Sequence, residues 1–333
     1  MDNFDLVIVG AGSAGCIVAN NIINTTNYKV LLIEAGPSDN NPAIQVPLGY
    51  GMTFYHKTMN WNFYSKNQTG LNNREIYYPR GKVIGGSGSI NAMIYARGLK
   101  SDYENWNLNS KWSWENIKST FNELEYAVNE EHNQLPINKI PVNDVSSQHH
   151  PILDNFFKAS KEFNFDFNKQ LKSTTENQVG HYNVNTYKGF RHSSAKSFLR
   201  PIKNNPNLTI LTKTEVLKLN FKNNKVSSLN IKHKGKIIEV KPKIGTILSS
   251  GSIMTPYLLL KSGIGNPTDL NKFNIPVVLN SPHVGKNFQD HVGLDYLYKT
   301  YFPTLNKDLG SWSGRVKSLL QYIYNRKGPL SLS

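Results

Sequence analysis

The sequence predicts an α/β fold built around a parallel sheet, and three segments of the chain support this prediction. In residues 5–36, two apolar runs flank a glycine-rich turn. A second glycine-rich turn lies within residues 79–98, and residues 244–265 join an apolar run to a helical pattern through small residues. Apolar strands that alternate with helical segments are typical of βαβ units, in which the strands pair in parallel.

The first segment has the pattern of a dinucleotide-binding turn. The apolar runs Leu6–Val9 and Val30–Ile33 predict two strands, and the second run is followed by Glu34. Between them, Gly10-Ala11-Gly12-Ser13-Ala14-Gly15 matches the G-x-G-x-x-G pattern in its expected setting of strand, turn, helix, strand and acidic residue. The alternative is a plain βαβ unit that has glycine at its turn.

The residues of this turn have separate physical roles. Gly10 permits the turn, Gly12 lets the backbone approach a pyrophosphate, and Gly15 allows the helix to pack closely on the strand. The N–H groups and the dipole at the start of the helix then favour a phosphate. Glu34, which follows Gly15 by 19 residues, is placed to accept a hydrogen bond from a ribose hydroxyl.

Composition indicates a globular chain of roughly two domains, since it has 333 residues, 38% of them hydrophobic and 11% aromatic. No apolar stretch reaches the length of a bilayer span, and the first apolar run predicts a strand rather than a signal peptide, so we expect no membrane contact. The single cysteine, Cys16, excludes an internal disulfide framework, which favours a reducing compartment. We expect Cys16 to be a packing residue; the alternative is a thiol activated by the helix dipole.

The formal net charge of +15 permits attraction to nucleic acid or to acidic surfaces. However, the basic residues are spread through stretches such as 222–225 and 232–236 and form no dense block. We therefore interpret the charge as mainly compositional and keep nucleic-acid binding as a minor alternative.

The middle of the chain is predicted to be less regular. Residues 37–78 are rich in proline and glycine and predict loops. The segment that starts at Trp112 predicts a helix through Phe121 and Leu124. Residues 127–180 are polar, and we expect an irregular insertion there.

Four short apolar runs, 208–211, 216–219, 228–231 and 237–240, predict a small antiparallel β excursion with a turn at Gly235. The run 244–249 predicts a return to a buried strand that ends at Gly251. We expect the following helix to start near Thr255-Pro256, because proline is favourable in a first helical turn.

A second glycine-rich turn spans Arg80 to Met93 with the sequence RGKVIGGSGSINAM. The five small residues from Gly85 to Ser89 leave the backbone bare, so that a flat or charged ligand can approach it. The amide of Asn91 can hydrogen-bond a heteroaromatic edge. These features favour a ligand role, and the alternative is a flexible loop.

With the third segment, the chain resembles the glucose-methanol-choline (GMC) oxidoreductase family of FAD enzymes. Residues 81–104 and 251–265 match the two internal signatures of the family. The segments 191–201 and 287–291 are also similar to it, and the resemblance runs from Asp5 to about Gly293 apart from the insertion.

The resemblance implies FAD as the cofactor. The first turn would face its pyrophosphate, Glu34 its adenosine ribose, the main chain of Val216 its adenine, and the loop from Gly86 to Met93 its flavin ring. Some members bind FAD covalently through a histidine at the position of Ile90, so we expect non-covalent binding here. The predicted cofactor-binding residues are Gly10, Ala11, Gly12, Ser13, Ala14, Gly15, Glu34, Ala35, Arg80, Gly81, Val83, Gly86, Ser87, Asn91, Ala92, Met93 and Val216.

The resemblance also places the family's catalytic histidine and its partner in a C-terminal part beyond Ser333, so we predict no catalytic residue in this chain. His291 and His192 are expected to be structural, and His149-His150 to lie in a solvated loop. No cysteine, histidine or carboxylate cluster has the spacing of metal ligands, so no metal site is predicted.

These expectations give a domain layout and three hypotheses of function. Residues 1–298 would form the FAD-binding region, and residues 299–333 the start of an incomplete substrate-binding domain with exposed apolar faces. The first hypothesis is a truncated, inactive flavoprotein. The second is one piece of a split alcohol oxidase or dehydrogenase that a second chain completes, with a small alcohol as substrate. The third is a structural or polyanion-binding protein that reuses the fold.

Overall fold

The computed structural model describes residues 3–106, 108–128, 134–168, 178–291, 293 and 296–332. The chain divides into two compact units, each made of several segments. The first unit comprises residues 1–39, 55–90 and 194–296, and the second comprises residues 40–54, 91–193 and 297–333. The boundary expected near residue 298 between two functional regions stays a prediction.

A parallel sheet forms the centre of the first unit. Strands β1 (Leu6–Val9) and β2 (Val30–Ile33) flank helix α1 (Ser13–Thr25), as the sequence predicts. Strand β3 (Leu208–Leu211) pairs with β2 in parallel. The sequence had placed this run in the antiparallel excursion, which is wrong, because an apolar run of four residues does not show which partner it pairs with.

An antiparallel sheet in the same unit contains β4 (Thr214–Lys222), β5 (Lys225–His233) and β6 (Lys236–Val240), and it confirms the predicted excursion. Two-residue turns connect its strands, Asn223-Asn224 and Lys234-Gly235, and all four residues have positive φ. Turns of this kind match the right-handed twist of a hairpin, so they fix the register of the sheet.

Strand β7 (Gly245–Leu248) pairs in parallel with β1 and completes the parallel sheet in the order β3-β2-β1-β7. The sequence predicted a buried strand here, but β7 is only half-buried, because β1 is its one neighbour among the described strands. By contrast, Val7, Ile8, Leu31 and Leu32 of β1 and β2 are fully buried. Buried side chains on both faces explain why these two strands are apolar runs without alternation.

Helix α2 (Gly251–Lys261) follows β7 and begins four residues earlier than predicted. Pro256 therefore lies inside the helix rather than in its first turn. Its missing N–H removes one main-chain hydrogen bond, and the bonds on either side still hold the helix. Gly263, at a φ of +91°, ends the segment as the sequence suggested.

The hydrophobic core of the first unit lies between the parallel sheet, the antiparallel sheet and α2. It includes Val7, Val9, Leu31, Ile33, Leu219, Leu229, Ile231, Val240 and Leu258. Each such side chain contributes about 1.5–3 kcal/mol when it is fully removed from water. This packed core thus supports the carboxyl ends of the parallel strands, where the glycine-rich turn begins.

The remaining elements of the first unit are short. They are the paired strands Phe63–Tyr64 and Tyr77–Tyr78, the 3₁₀ turns Thr69–Leu71 and Gly86–Ser89, the π-helical turn Ala195–Leu199, the helices Arg200–Ile202 and Pro267–Asn271, and the paired strands Ile264–Gly265 and Leu279–Asn280.

The second unit contains a mixed sheet whose strands run in the order Ile94–Tyr95, Asn183–Val184, Ile140–Asn143 and Glu125–Val128. Two strand pairs accompany it, Thr186–Tyr187 with Phe190–Arg191 and Asp166–Asn168 with Gln178–Gly180. Its helices are Pro42–Gln45, Tyr50–Thr53, Lys100–Glu104, Trp114–Leu124, Leu153–Glu162, Leu305–Gly310 and Trp312–Asn325, with 3₁₀ turns at Pro47–Gly49, Ser110–Trp112, Ser146–Gln148 and Pro329–Ser331.

Two expectations for the second unit are resolved by these elements. The helix Trp114–Leu124 confirms the prediction for that segment. The expectation of an irregular insertion at 127–180 is wrong for its described part, which carries strand Ile140–Asn143 and helix Leu153–Glu162. The polar composition misled because the helix Leu153–Glu162 has no buried residue, so its sequence resembles that of a loop. Residues 129–133 and 169–177 of the segment lie outside the described residues.

Apolar side chains are exposed along the helix Trp312–Asn325, where Trp312, Leu320 and Tyr324 are 81%, 60% and 91% exposed. Exposed apolar faces were expected for this part of the chain. Among the helices that the structure describes, none combines the length and the apolar character needed to cross a bilayer.

We expect Gly15→Ala to unfold the first unit at a lower temperature. Alanine normally stabilises a helix interior by about 0.5–1 kcal/mol relative to glycine. At Gly15, however, a Cβ atom would lie 2.0 Å from the carbonyl oxygen of Gly10. Overpacking of this kind costs about 1–3 kcal/mol, so Gly15→Ala should destabilise the fold instead of stabilising it.

The matched control is Gly51→Ala, because Gly51 is also helical and a Cβ there meets no atom within 4 Å. Thermal unfolding followed by circular dichroism should give a lower Tm for Gly15→Ala and an equal or higher Tm for Gly51→Ala. Equal Tm values for the two variants would contradict the close contact at Gly15.

Candidate dinucleotide-binding site

A cavity of about 630 Å³ lies at the carboxyl ends of the parallel strands, within the first unit. Three segments that are far apart in the sequence line it together. They are the first glycine-rich turn, the second glycine-rich turn and the start of α2. Ligands in open parallel sheets bind at this end of the strands, so the position of the cavity agrees with the prediction from the sequence.

The first turn needs glycine for two different reasons. At Gly10, φ is +99° and a Cβ would lie 2.6 Å from the carbonyl oxygen of Ser249, so the fold itself requires glycine. At Gly12, φ is −71° and a Cβ would meet nothing closer than 3.9 Å. Gly12 therefore leaves open space in the lining of the cavity, which is the space that a phosphate would take.

Helix α1 begins at Ser13, and no side chain caps its first N–H groups. Backbone N–H groups at a helix start carry partial positive charge and lack partners within the helix. Because Gly12, Ser13 and Ala14 line the cavity, these groups are positioned to donate to an anion inside it.

Glu34 lines the cavity and at the same time holds the turn. Its Oε2 accepts a hydrogen bond from the N–H of Ala11 and its Oε1 accepts one from the N–H of Gly36, both at 2.9 Å. Burial raises the pKa of Glu34 to about 7, although these N–H groups and the nearby Lys82 ammonium act in the opposite direction. The carboxyl thus fixes the backbone of the turn, and its contact with a ribose stays a prediction.

The second glycine-rich turn packs directly on the first. The N–H of Gly85 donates to the carbonyl of Ala11 at 2.7 Å. A Cβ at Gly86, where φ is +56°, would lie 2.8 Å from Cα of Gly12. A Cβ at Gly81 would lie 2.2 Å from the carbonyl oxygen of Gly86. The small residues are therefore a consequence of backbone contact and not of a flexible loop.

Most of the predicted cofactor-binding residues meet in the cavity. Those that line it are Gly10, Gly12, Ser13, Ala14, Glu34, Ala35, Arg80, Gly81, Gly86, Ser87 and Val216. Ala11, Gly15 and Val83 are buried outside the lining. Asn91, Ala92 and Met93 belong to the second unit. Contact of any of these residues with FAD stays a prediction.

Several lining residues were not predicted from the sequence. Trp61 and Phe63 come from the segment interpreted as loop, and their rings stack at 5.8 Å. The ammonium of Lys82 lies over the Trp61 ring at 4.3 Å. Ser249 to Leu258 also line the cavity. The small residues after β7 were a usable signal, since they repeat the arrangement of strand, small turn and helix seen at the first turn.

Arg80 lines the cavity and forms an ion pair with Asp290 at 2.8 Å. The Arg80 guanidinium is the main reason that the pKa of Asp290 lies below its usual range. The neighbouring His291 is exposed and donates its N–H to Asp290 Oδ1 at 3.0 Å, as expected for a turn residue.

The other reactive side chains have structural surroundings. Cys16 is fully buried, and burial raises the pKa of its thiol to about 12, which confirms a packing residue. His149 is half-buried and contacts His181 rather than lying in a solvated loop, so that expectation is wrong. His192 packs against Tyr187. Among the described residues, no three histidine, cysteine or carboxylate side chains form a group that could hold a metal ion.

Comparison with known sequences assigns the chain to a family. The sequence model of the GMC oxidoreductase family matches residues 4–293. The chain belongs to the GMC oxidoreductase family. It is 35% identical to "Alcohol dehydrogenase [acceptor]" of Pseudomonas putida over 335 positions, and 32% identical to "Choline dehydrogenase, mitochondrial" of Mus musculus over 304 positions. These alignments include 98% and 87% of this chain.

Solved GMC structures have the same fold. Pyridoxine 4-oxidase from Mesorbium loti aligns with 84% of this chain at a TM-score of 0.78 and 28% identity. Formate oxidase aligns with 99% of it at a TM-score of 0.86 and 25% identity. The chain spans 60% and 50% of the length of the two dehydrogenases, and 56% and 60% of the length of these two structures.

The raised pKa of Glu34 predicts that the chain without ligand becomes less stable as the pH rises. The folded state binds the Glu34 proton with a pKa of about 7, compared with 4.5 for an unperturbed carboxyl. Between pH 5 and pH 8 the folded state therefore loses a proton that the unfolded state has already lost. A difference of this size corresponds to at most about 3 kcal/mol.

Chemical unfolding of the wild type, Glu34→Gln and Glu115→Gln at pH 5 and pH 8 measures this effect. The free energy of unfolding should fall less between the two pH values in Glu34→Gln than in the wild type. Glu115 is exposed, so its variant should keep the wild-type difference. The same pH difference in Glu34→Gln and the wild type would show that Glu34 does not titrate in this range.

Proposed function

We propose that this chain binds FAD non-covalently and forms the cofactor-binding part of an oxidoreductase that acts on alcohols. The observation that carries the proposal is the single cavity that joins the first glycine-rich turn, Glu34 and the second glycine-rich turn. The family assignment supports FAD as the cofactor. The dehydrogenase and oxidase names of the relatives support an oxidation as the reaction.

The residues present fit a dinucleotide. The uncapped N–H groups of α1 and the open space at Gly12 suit a pyrophosphate, and Glu34 has acceptor oxygens at the edge of the same cavity. Val216 lies in the lining where an adenine would be held by main-chain contacts. When bound, the flavin ring would supply the hydride acceptor of the reaction.

The buried Ile90 supports non-covalent binding, because an isoleucine side chain offers no nucleophile to a flavin.

The proposal also includes that the chain does not oxidise alcohols by itself. Removal of the hydroxyl proton needs a base within hydrogen-bond reach. The described lining of the cavity contains no histidine, and both carboxylate oxygens of Glu34 already accept hydrogen bonds from the N–H groups of Ala11 and Gly36. The base would then come from a further segment or from a second chain, which would also complete the substrate site.

FAD titration of the purified chain tests the cofactor assignment. We expect the wild type to bind FAD and Gly12→Ala to bind it at least 10-fold more weakly, because the new Cβ fills the space for the pyrophosphate. The Tm of Gly12→Ala without FAD should stay near the wild-type value, since its Cβ meets no atom closer than 3.9 Å. Equal affinity in the two proteins would contradict the assignment of the turn.

A second experiment tests the absence of turnover. The FAD-loaded chain is mixed with a panel of primary, secondary and aromatic alcohols under anaerobic conditions, and the flavin absorbance is recorded. We expect the oxidised flavin spectrum to persist with every alcohol and to bleach with dithionite, which shows that the bound flavin can be reduced. Bleaching by any alcohol would show that the chain contains its own base.

A further inference from the structure

Two histidine rings from distant parts of the second unit meet at their nitrogens. Nδ1 of His149 lies 2.5 Å from Nδ1 of His181, and the ring centroids are 4.5 Å apart. Both side chains are half-buried. The Phe157 ring packs edge-on against His181 at a centroid distance of 4.8 Å. The two imidazoles therefore form a direct contact that is partly shielded from water.

This contact joins two elements of the second unit. His149 directly follows the 3₁₀ turn Ser146–Gln148, and His181 directly follows the strand Gln178–Gly180. A 3₁₀ turn of three residues has few hydrogen bonds of its own, and their geometry is poor. The position of the turn therefore depends on side-chain contacts such as the one between the two histidines.

The same turn borders the small buried cluster of the second unit, which consists of Met93, Val145, Val184 and Leu332. Val145 immediately precedes the turn. Gln148, the last residue of the turn, accepts a hydrogen bond at its Oε1 from the N–H of Gly328 at 3.0 Å. A shift of the turn would therefore disturb both the cluster and the segment around Gly328.

Protonation decides whether the histidine contact can exist. When the two Nδ1 atoms share one hydrogen, one ring donates and the other accepts. When both rings are imidazolium ions, each Nδ1 carries a hydrogen, so neither can accept and two positive charges face each other. Like charges at this distance disfavour the charged form. The contact and the protonation of both rings therefore exclude each other.

The surroundings of His149 favour the uncharged ring at neutral pH. Burial, and after it the neighbouring His181, lower the pKa of His149, whereas Asp144 acts in the opposite direction. The Oδ1 atom of Asp144 accepts a hydrogen bond from the N–H of Ser146 at 2.8 Å, which holds this carboxylate beside the turn. Its one negative charge does not balance the two positive charges of a doubly protonated pair.

Other titratable groups occur on the elements next to the pair. Nδ1 of His150 accepts a hydrogen bond from the N–H of Ile152 at 3.2 Å, and the strand Gln178–Gly180 has no titratable residue. The remaining titratable residues of the adjacent elements are exposed to solvent. They are Asp154, Lys158, Lys161, Glu162, Asp166, Tyr182 and Lys327. Within the described part of the chain, burial, the two rings themselves and Asp144 thus govern the pair.

We propose that the His149–His181 pair is an acid-sensitive contact, which is closed at neutral pH and opens when both rings are protonated. The closed contact binds fewer protons than the open chain, so the stability that it gives is lost as the pH falls below about 6.5, the ordinary pKa of histidine. Opening would release the turn Ser146–Gln148 within the second unit. The inference involves no FAD and goes beyond the proposed function.

A local measurement is needed, because Glu34 makes the first unit respond to pH in the opposite direction. Hydrogen–deuterium exchange of the full chain, read by mass spectrometry at pH 5 and pH 8, resolves separate peptides. After correction for the intrinsic effect of pH, peptides that cover residues 145–152 and 178–184 should exchange several-fold faster at pH 5. Peptides that cover β1 and β2 should not become faster.

His149→Gln and His181→Gln test the pair from each side. A glutamine has both a donor and an acceptor for the remaining ring, but it cannot become charged. Each variant should therefore lose the acceleration at pH 5. The matched control is His283→Gln, because His283 is exposed and belongs to the first unit. This control should keep the wild-type response.

Two results would overturn the inference. The first is equal exchange of the two wild-type peptides at pH 5 and pH 8, which would show that the contact does not respond to acid. The second is wild-type acceleration in both glutamine variants, which would assign the response to another group. If one variant does not fold, the other still tests the same contact. FAD titration is a separate measurement, so failure of the proposed function would leave this inference standing.

Discussion

The structure of the first unit depends on backbone-to-backbone contact between the two glycine-rich turns and the strand ends beneath them. Gly10 contacts Ser249, Gly15 contacts Gly10, and Gly86 contacts Gly12, each at a distance that leaves no room for a Cβ. Such contacts bring N–H groups from different segments to one surface. Main-chain groups of both turns therefore form part of the cavity lining, and their donors are already ordered before a ligand arrives.

The sequence predicted the parallel sheet well where burial on both faces made the signal strong. Leu6–Val9 and Val30–Ile33 are strands with the predicted bounds. The sequence did not show which strand an apolar run pairs with. Leu208–Leu211 is a strand with the predicted bounds, but it joins the parallel sheet and not the antiparallel one. Pro256 also misled the prediction of where helix α2 starts. A proline is compatible with the first turn of a helix and also with a helix interior that lacks one hydrogen bond.

For the site, the sequence could locate residues that the pattern G-x-G-x-x-G requires, because glycine identity reports a local backbone need. It could not locate Trp61 and Phe63, whose place in the lining follows from packing of distant segments. Nor could it show that Glu34 binds the N–H groups of Ala11 and Gly36. A glutamate at the end of a strand is the same residue in the sequence whether its carboxylate contacts a ribose or the N–H groups of the turn, so its identity does not show its partner.

Each unit uses one buried ionisable group to fix a turn. Glu34 accepts from two main-chain N–H groups, and Arg191 donates to two main-chain carbonyls and one amide oxygen. Burial of either group is costly, as the raised pKa of Glu34 and the lowered pKa of Arg191 show. Hydrogen bonds offset this cost only while the turn keeps its geometry, so a turn that moves leaves a buried charge with fewer partners. Burial of Glu34 and Arg191 thus lowers the stability of the folded units, while the hydrogen bonds of the same two groups hold the turns in one geometry.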